Sequence, residues 1–148
     1  MKGGFNINHI YDYGVRTRND LNQICLWFDK IKISINLEPT IFIANKYKKG
    51  SCKHNEIIIH ELEHVKIDQD IAKSYVPIIH RKIEELINSN SFYGPVEQNK
   101  LPEIDEYMRS TIKNIIDDFK IEVNKVRKLK QAQIDNLDEY NKIINACK

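Results

Sequence analysis

No stretch of this 148-residue sequence approaches the roughly 18 consecutive apolar residues of a membrane-crossing helix, so no membrane span is expected. An apolar leader core is missing as well. Met1-Lys2-Gly3-Gly4 runs straight into polar residues, which leaves either a cytoplasmic protein or a mature form whose leader was replaced by a start methionine. Nor is there a large charge of one sign: the formal net charge is +2, too small to argue for nucleic acid or an anionic membrane. No nucleic-acid-binding motif is present either. Lys46, Lys48, Lys49 and Lys53 make a local basic loop that reads as solvated surface. Cysteine is scarce, with three in the chain and no Cys-x-x-Cys pair that would suggest a metal or redox motif. Cys25 and Cys52 flank the predicted strands. A disulfide between them in an oxidising compartment, with Cys147 left over, and buried free thiols are both compatible with the spacing. Internal repeats and low-complexity tracts are absent. What is present is 41% apolar and 30% charged, an ordinary composition for one globular domain, residues 1–148, with a core of its own.

The elements follow from periodicity. Residues 1–20 are polar and aromatic and could supply an edge strand. Ile31, Ile33, Ile35 and Leu37 alternate with polar residues, the period of two of a half-buried strand. Glu38-Pro39 turns the chain, and Thr40 to Ala44 reads as a second strand, so the two are expected to pair as a hairpin. Ser51 or Asn55 can cap the helix that follows. From about Asn55 to Asn88, Ile58, Leu62, Val65, Ala72, Val76, Ile79, Ile83 and Leu86 form one apolar stripe that stays in phase across Pro77. A kinked helix is therefore preferred to two separate ones. A loop containing Gly94 and Pro95 leads to Pro102, well suited to a helix start, and a last helix is expected over about 102–146. The predicted fold is α+β: a small antiparallel hairpin or sheet, then two long helices packed antiparallel.

The chemistry lies in His60-Glu61-Leu62-Glu63-His64. Residues four apart on a helix share a face, so His60 and His64 aim two imidazoles at one point, a spacing that suits a tetrahedral zinc ion. Glu61 stands beside the pair, where it can take a proton from a water whose pKa zinc lowers from about 16 to about 7. The alternative is a solvated helix face on which Glu61 makes a surface ion pair.

Through these five residues, and the order strand then helix before them, the chain resembles the zincin metalloproteases. That resemblance implies a peptidase with zinc as cofactor, His60 and His64 as ligands, Glu61 as general base, and Thr40 to Ala44 as the strand that holds substrate. More loosely, Cys25-Leu26-Trp27, Phe42-Ile43-Ala44, Gly50-Ser51-Cys52 and His60 to Val65 resemble small exported bacterial proteins that carry a Gly-Ser-Cys loop before the motif. This second resemblance covers about residues 20–75, implies export and a Cys25–Cys52 bridge, and implies no activity.

A catalytic zinc needs three protein ligands and an open position, and the third ligand is undetermined by the sequence. No Gly-x-x-His follows His64, so the metzincin pattern is absent. Glu84 has the separation from His64 seen in thermolysin-like enzymes, yet twenty residues of continuous helix would carry it about 30 Å away; only a break at Pro77 would keep it in play. His80 meets the same obstacle. Asp68 continues the row His60-His64-Asp68. It lies about 9 Å along the axis from a metal between the imidazoles, which suits it to orienting His64 by accepting a ring N–H rather than to ligation. Asp117, Asp118 and Glu122 on the last helix, and His9 and His54, are further candidates, and Tyr75 could stabilise an oxyanion.

Two functions are in contention. One is a zinc-dependent metallohydrolase acting on a peptide or cell-wall peptide. The other is a non-catalytic metal-binding or relic domain whose long last helix, with polar interruptions around Lys128, Lys130, Gln131 and Gln133, makes it a homo-oligomerisation or protein-interaction module. Export, periplasmic or secreted, is favoured over the cytoplasm by the second resemblance and by the cysteines.

Overall fold

The burial of alternate residues Ile24, Leu26 and Phe28 makes Gln23–Leu37 a strand, and the computed structural model, which describes residues 4–147, places it at the centre of a three-stranded antiparallel sheet. The elements in order are β1 (Phe5–Arg18), β2 (Gln23–Leu37), α1 (Cys52–Ser89), β3 (Tyr93–Glu97), α2 (Leu101–Ile134) and α3 (Leu137–Asn145). The fold is thus α+β, with the His60–His64 motif on the first long helix. No helix among the described residues is long and apolar enough to cross a membrane.

The hairpin differs from the expected one. β2 is joined to β1 through a 3₁₀ turn at Asn19–Leu21, and Asn22 takes a left-handed φ of 51° that asparagine tolerates. Thr40 keeps only an isolated bridge and residues 41–44 form no strand. Glu38-Pro39 ends β2, and the 14-residue β1 supplies a far longer partner than Thr40 to Ala44 could. On the other side, β3 pairs with β2 at Gln23–Glu97, Ile24–Val96 and Leu26–Tyr93, with a bulge between Ile24 and Leu26. Gly94 sits opposite that bulge at φ +122°, and a Cβ there would lie 2.6 Å from the Ile24 carbonyl oxygen. Only glycine lets the two backbones approach so closely.

α1 runs unbroken through Pro77. The proline removes one helical hydrogen bond, and burial of Ile71 before it and Ile79, Ile83 and Leu86 after it offsets that loss. Ser51 caps the helix by accepting the His54 N–H at 3.3 Å. The last helix does not reach Ala146 in one piece. α2 ends at Ile134, Asn136 is extended, and its Oδ1 accepts the Glu139 N–H at 3.0 Å to start α3.

The chain forms two compact units. One comprises Ile7–Ile35 and Val76–Lys120; the other comprises, among the described residues, 4–6, Asn36–Tyr75 and 121–147. The first unit holds the sheet and most of the apolar core, including Leu26, Phe28, Met108, Ile112, Ile116 and Phe119. The second has Ile71 and Val123 buried together with two polar residues, His64 and Asp68.

The disulfide joins Cys52 to Cys147, not to Cys25, with 5.7 Å between the Cα atoms. α3 turns back so that Cys147 meets the start of α1. Cys25 is a free thiol on β2, in the other unit.

Candidate metal centre

The site is built by two antiparallel helices in register. On α1, His60, His64 and Asp68 are spaced by four and so share one face. On the facing chain Arg127, Gln131 and Asp135 are also spaced by four and run the other way. His60 and His64 meet Asp135, His64 meets Gln131, and Asp68 meets Gln131 and Arg127. Each turn up α1 is matched by a turn down α2. Asp135 follows the last residue of α2 and still bonds its N–H to the Gln131 carbonyl at 3.2 Å.

The hydrogen bonds determine which nitrogen of His64 carries the proton. Arg127 donates to both oxygens of Asp68, through Nε at 2.7 Å and Nη2 at 2.9 Å. Gln131 Nε2 donates to Asp68 Oδ1 at 2.7 Å and to the His64 carbonyl oxygen at 3.1 Å. Both of these are acceptors only, so the amide nitrogen must face them and Gln131 Oε1 must face His64 Nδ1. His64 therefore donates from Nδ1 and turns its Nε2 to the other side. Asp68 supports His64 through Gln131 and does not accept the ring N–H itself, because the longer amide side chain spans the interval that the carboxylate cannot.

His64 Nε2 points at two further ligand atoms. It lies 3.0 Å from Asp135 Oδ1 and 3.2 Å from His60 Nε2, and the latter is 3.3 Å from the same Asp135 oxygen. Three electron-rich atoms thus stand at the corners of a small triangle. His64 Nε2 and Asp135 Oδ1 lie close enough to share a hydrogen bond, and a metal ion held there would take the place of that proton. The side chains of His60 and His64 are 10% and 7% exposed and that of Asp135 is 45% exposed, so the triangle is sheltered on the imidazole side and open on the carboxylate side. His60, His64 and Asp135 form a group that could hold a metal ion. His60 Nδ1 is buried and has no hydrogen-bond partner, so His60 lacks the support His64 enjoys.

No protein-family model matches the chain, and no curated protein and no solved structure is significantly similar to it.

Beside the triangle lies a cavity of about 600 Å³. Glu61 lines it, as do the apolar and aromatic side chains of Ile57, Tyr140, Ile143 and Ile144. A second group, His60, Glu63 and Glu139, also has close ligand atoms. There the Lys142 ammonium is already bonded to Glu139, and this bond raises the Lys142 pKa, so that group carries its own cation.

The other sequence candidates are engaged elsewhere. Glu84 and His80 pair with each other at 3.4 Å on the surface of the other unit. Asp117 is bonded to Lys113, chiefly because of which its carboxyl is held below the usual range. Burial, followed by the Lys120 charge, lowers the pKa of His9. His54 Nδ1 lies 3.4 Å from Asn55 Oδ1. Asp118 and Glu122 join no metal-type group with the two histidines among the described residues, and Tyr75 is not in the cavity wall, where Tyr140 supplies the phenol. Asp135 escaped the sequence reading because it is 71 residues from His64 and lies where one continuous helix was expected. The signal was Asn136 followed three residues later by Glu139, the pattern of a helix start.

Proposed function

We propose that this chain is a zinc-dependent metallohydrolase acting on amide bonds of peptides or cell-wall peptides, with His60, His64 and Asp135 as the metal ligands. The observation that carries this reading is the triangle of His60 Nε2, His64 Nε2 and Asp135 Oδ1, with sides of 3.0–3.3 Å. Ligand atoms bound at about 2.0–2.1 Å in a tetrahedral arrangement lie about 3.3 Å apart, so the spacing suits zinc, and two imidazoles with one carboxylate are a common catalytic donor set. Three donors beside an open cavity leave room for a reacting group, which a site closed by a fourth protein ligand would not.

A zinc ion there would supply Lewis acidity toward a carbonyl oxygen and make a water acidic near neutral pH. The protein's part is distributed among its own residues. His64 is held as an Nδ1–H tautomer by Gln131, and Asp68 and Arg127 hold Gln131. Glu61, on the cavity wall, takes a proton from the attacking water and returns it to the departing amine nitrogen. Ile57, Tyr140, Ile143 and Ile144 give the cavity an apolar wall, which suits an uncharged chain segment. The Cys52–Cys147 disulfide favours an oxidising, extracytoplasmic setting for this chemistry.

Glu61→Gln keeps the shape of the site and removes the base. The variant should bind zinc as the parent does and lose hydrolysis of peptide substrates by at least about a hundredfold. Turnover equal to that of the parent would defeat the assignment of Glu61.

A further inference from the structure

We propose that the Cys52–Cys147 disulfide controls metal affinity, so that the site holds its ion tightly in the oxidised protein and weakly in the reduced one. The inference rests on the metal-binding part of the function proposed above and not on catalysis.

Three observations carry it. The third candidate ligand, Asp135, stands in the two-residue joint between α2 and α3, so it is held from one side by its bond to the Gln131 carbonyl and from the other by α3. α3 is nine residues long and buries none of them. An isolated helix of that length is marginal in water, so α3 has little of its own to hold it. Its one covalent tie to α1 is the bond from Cys147 to Cys52, the first residue of α1, about two helical turns before His60. Side chains of the same short helix, Tyr140, Ile143 and Ile144, form the cavity wall beside the histidines, and the Tyr140 ring lies 6.4 Å from that of His60. One covalent bond therefore governs both a ligand and a wall.

Cys52 is exposed, which leaves the disulfide open to attack by a thiol. A dithiol reductant delivers two electrons and two protons, is itself oxidised to a disulfide, and leaves Cys52 and Cys147 as thiols. α3 is then connected covalently only through Asp135 and Asn136, with the contacts of Tyr140, Ile143 and Ile144 left to hold it in place. Asp135 loses the restraint from α3 and keeps only its bond to the Gln131 carbonyl, while His60 and His64, on the long helix α1, keep their positions. The site is left with two well-ordered ligands and a loosened third, and the cavity loses the wall beside His60. Loss of groups that orient metal ligands costs about 10- to 100-fold in affinity, and that is the expected size of the change.

The test is a competition titration of zinc against a chromophoric chelator, using the full chain. Three states are compared: oxidised, reduced by a phosphine that is then removed without air, and reoxidised. Zinc should bind about 10- to 100-fold more weakly to the reduced protein and recover on reoxidation. Cys52→Ser/Cys147→Ser should match the reduced protein. In Asp135→Asn, zinc should bind weakly whatever the state of the disulfide, because the group that the disulfide positions is gone. Circular dichroism of each state separates loss of affinity from loss of fold, and the reoxidised parent serves as control should the double variant fail to fold. Equal affinity in the oxidised and reduced states would overturn redox control and leave the metal site standing. Absence of zinc binding by the oxidised parent would overturn both.

Discussion

The proton on His64 is placed by an amide that cannot turn over. Gln131 faces two acceptors with its nitrogen, the Asp68 carboxylate and the His64 carbonyl, so its oxygen is committed to the imidazole N–H. Replacing Gln131 by Leu removes that bond and strands Asp68 with Arg127 alone. Zinc affinity, measured by competition titration, should fall about 10- to 100-fold with both histidines intact. Unchanged affinity would show that the relay does not orient the ligand. Away from the site, Tyr11 shows how a single hydroxyl makes stability depend on pH. Its O–H donates to Asp105 Oδ1 at 2.6 Å, and burial, followed by that hydrogen bond, pushes its pKa up to about 12. The folded chain keeps this proton to higher pH than the unfolded chain, whose tyrosine ionises near its ordinary value of about 10. The contribution is therefore complete below about pH 10 and is lost as pH rises toward about 12. Tyr11→Phe should cost about 1 kcal/mol in urea unfolding at pH 8, and the difference from the parent should shrink by pH 11. A gap that stays constant would remove Tyr11 from the pH dependence.

Helices show their period in sequence more plainly than mixed strands do. The stripe from Ile58 to Leu86 announced α1, and its steady phase across Pro77 matched the unbroken helix. β1 was harder to read because in its 14 residues only Ile7 is buried, so there is little alternation to detect. Thr40 to Ala44, with its run of apolar residues, looked the better strand and lost to a longer partner. The end of α2 was missed for a different reason. The apolar spacing carries on past Ile134 through Leu137 and Ile144, while the break is set by local capping at Asn136. That cap can be tested directly. Asn136→Ala should cost α3 about 1 kcal/mol, seen as about fivefold faster hydrogen exchange of its amides with no change in those of Ile112 or Phe119. Exchange at the parent's rate would mean that the side-chain cap contributes nothing to the joint.

At the scale of the whole chain, burial is divided unevenly. The unit containing the sheet buries the greater part of the apolar side chains. The unit containing the motif buries His64 and Asp68, which costs free energy unless every polar group is satisfied. Asp68 is satisfied by three donor contacts, two from Arg127 and one from Gln131, and His64 on one face by Gln131. The other face of His64 is left against a carboxylate oxygen and a second imidazole, an arrangement that a metal ion would complete. Two of the three corners of that triangle were legible in sequence, because His60 and His64 are one helical turn apart. The third was not, because Asp135 reaches them only through the antiparallel register of two helices and a cap that no periodicity predicts. The same holds for the disulfide, whose partners are 95 residues apart and meet only because α3 turns back. The most direct measurement is native mass spectrometry of the chain supplied with equimolar zinc, beside His60→Ala/His64→Ala and Asp135→Asn. One zinc per chain is predicted for the parent, none for the double histidine variant, and partial occupancy for Asp135→Asn. A parent that takes up no zinc, or a double histidine variant that keeps it, would contradict the proposed site.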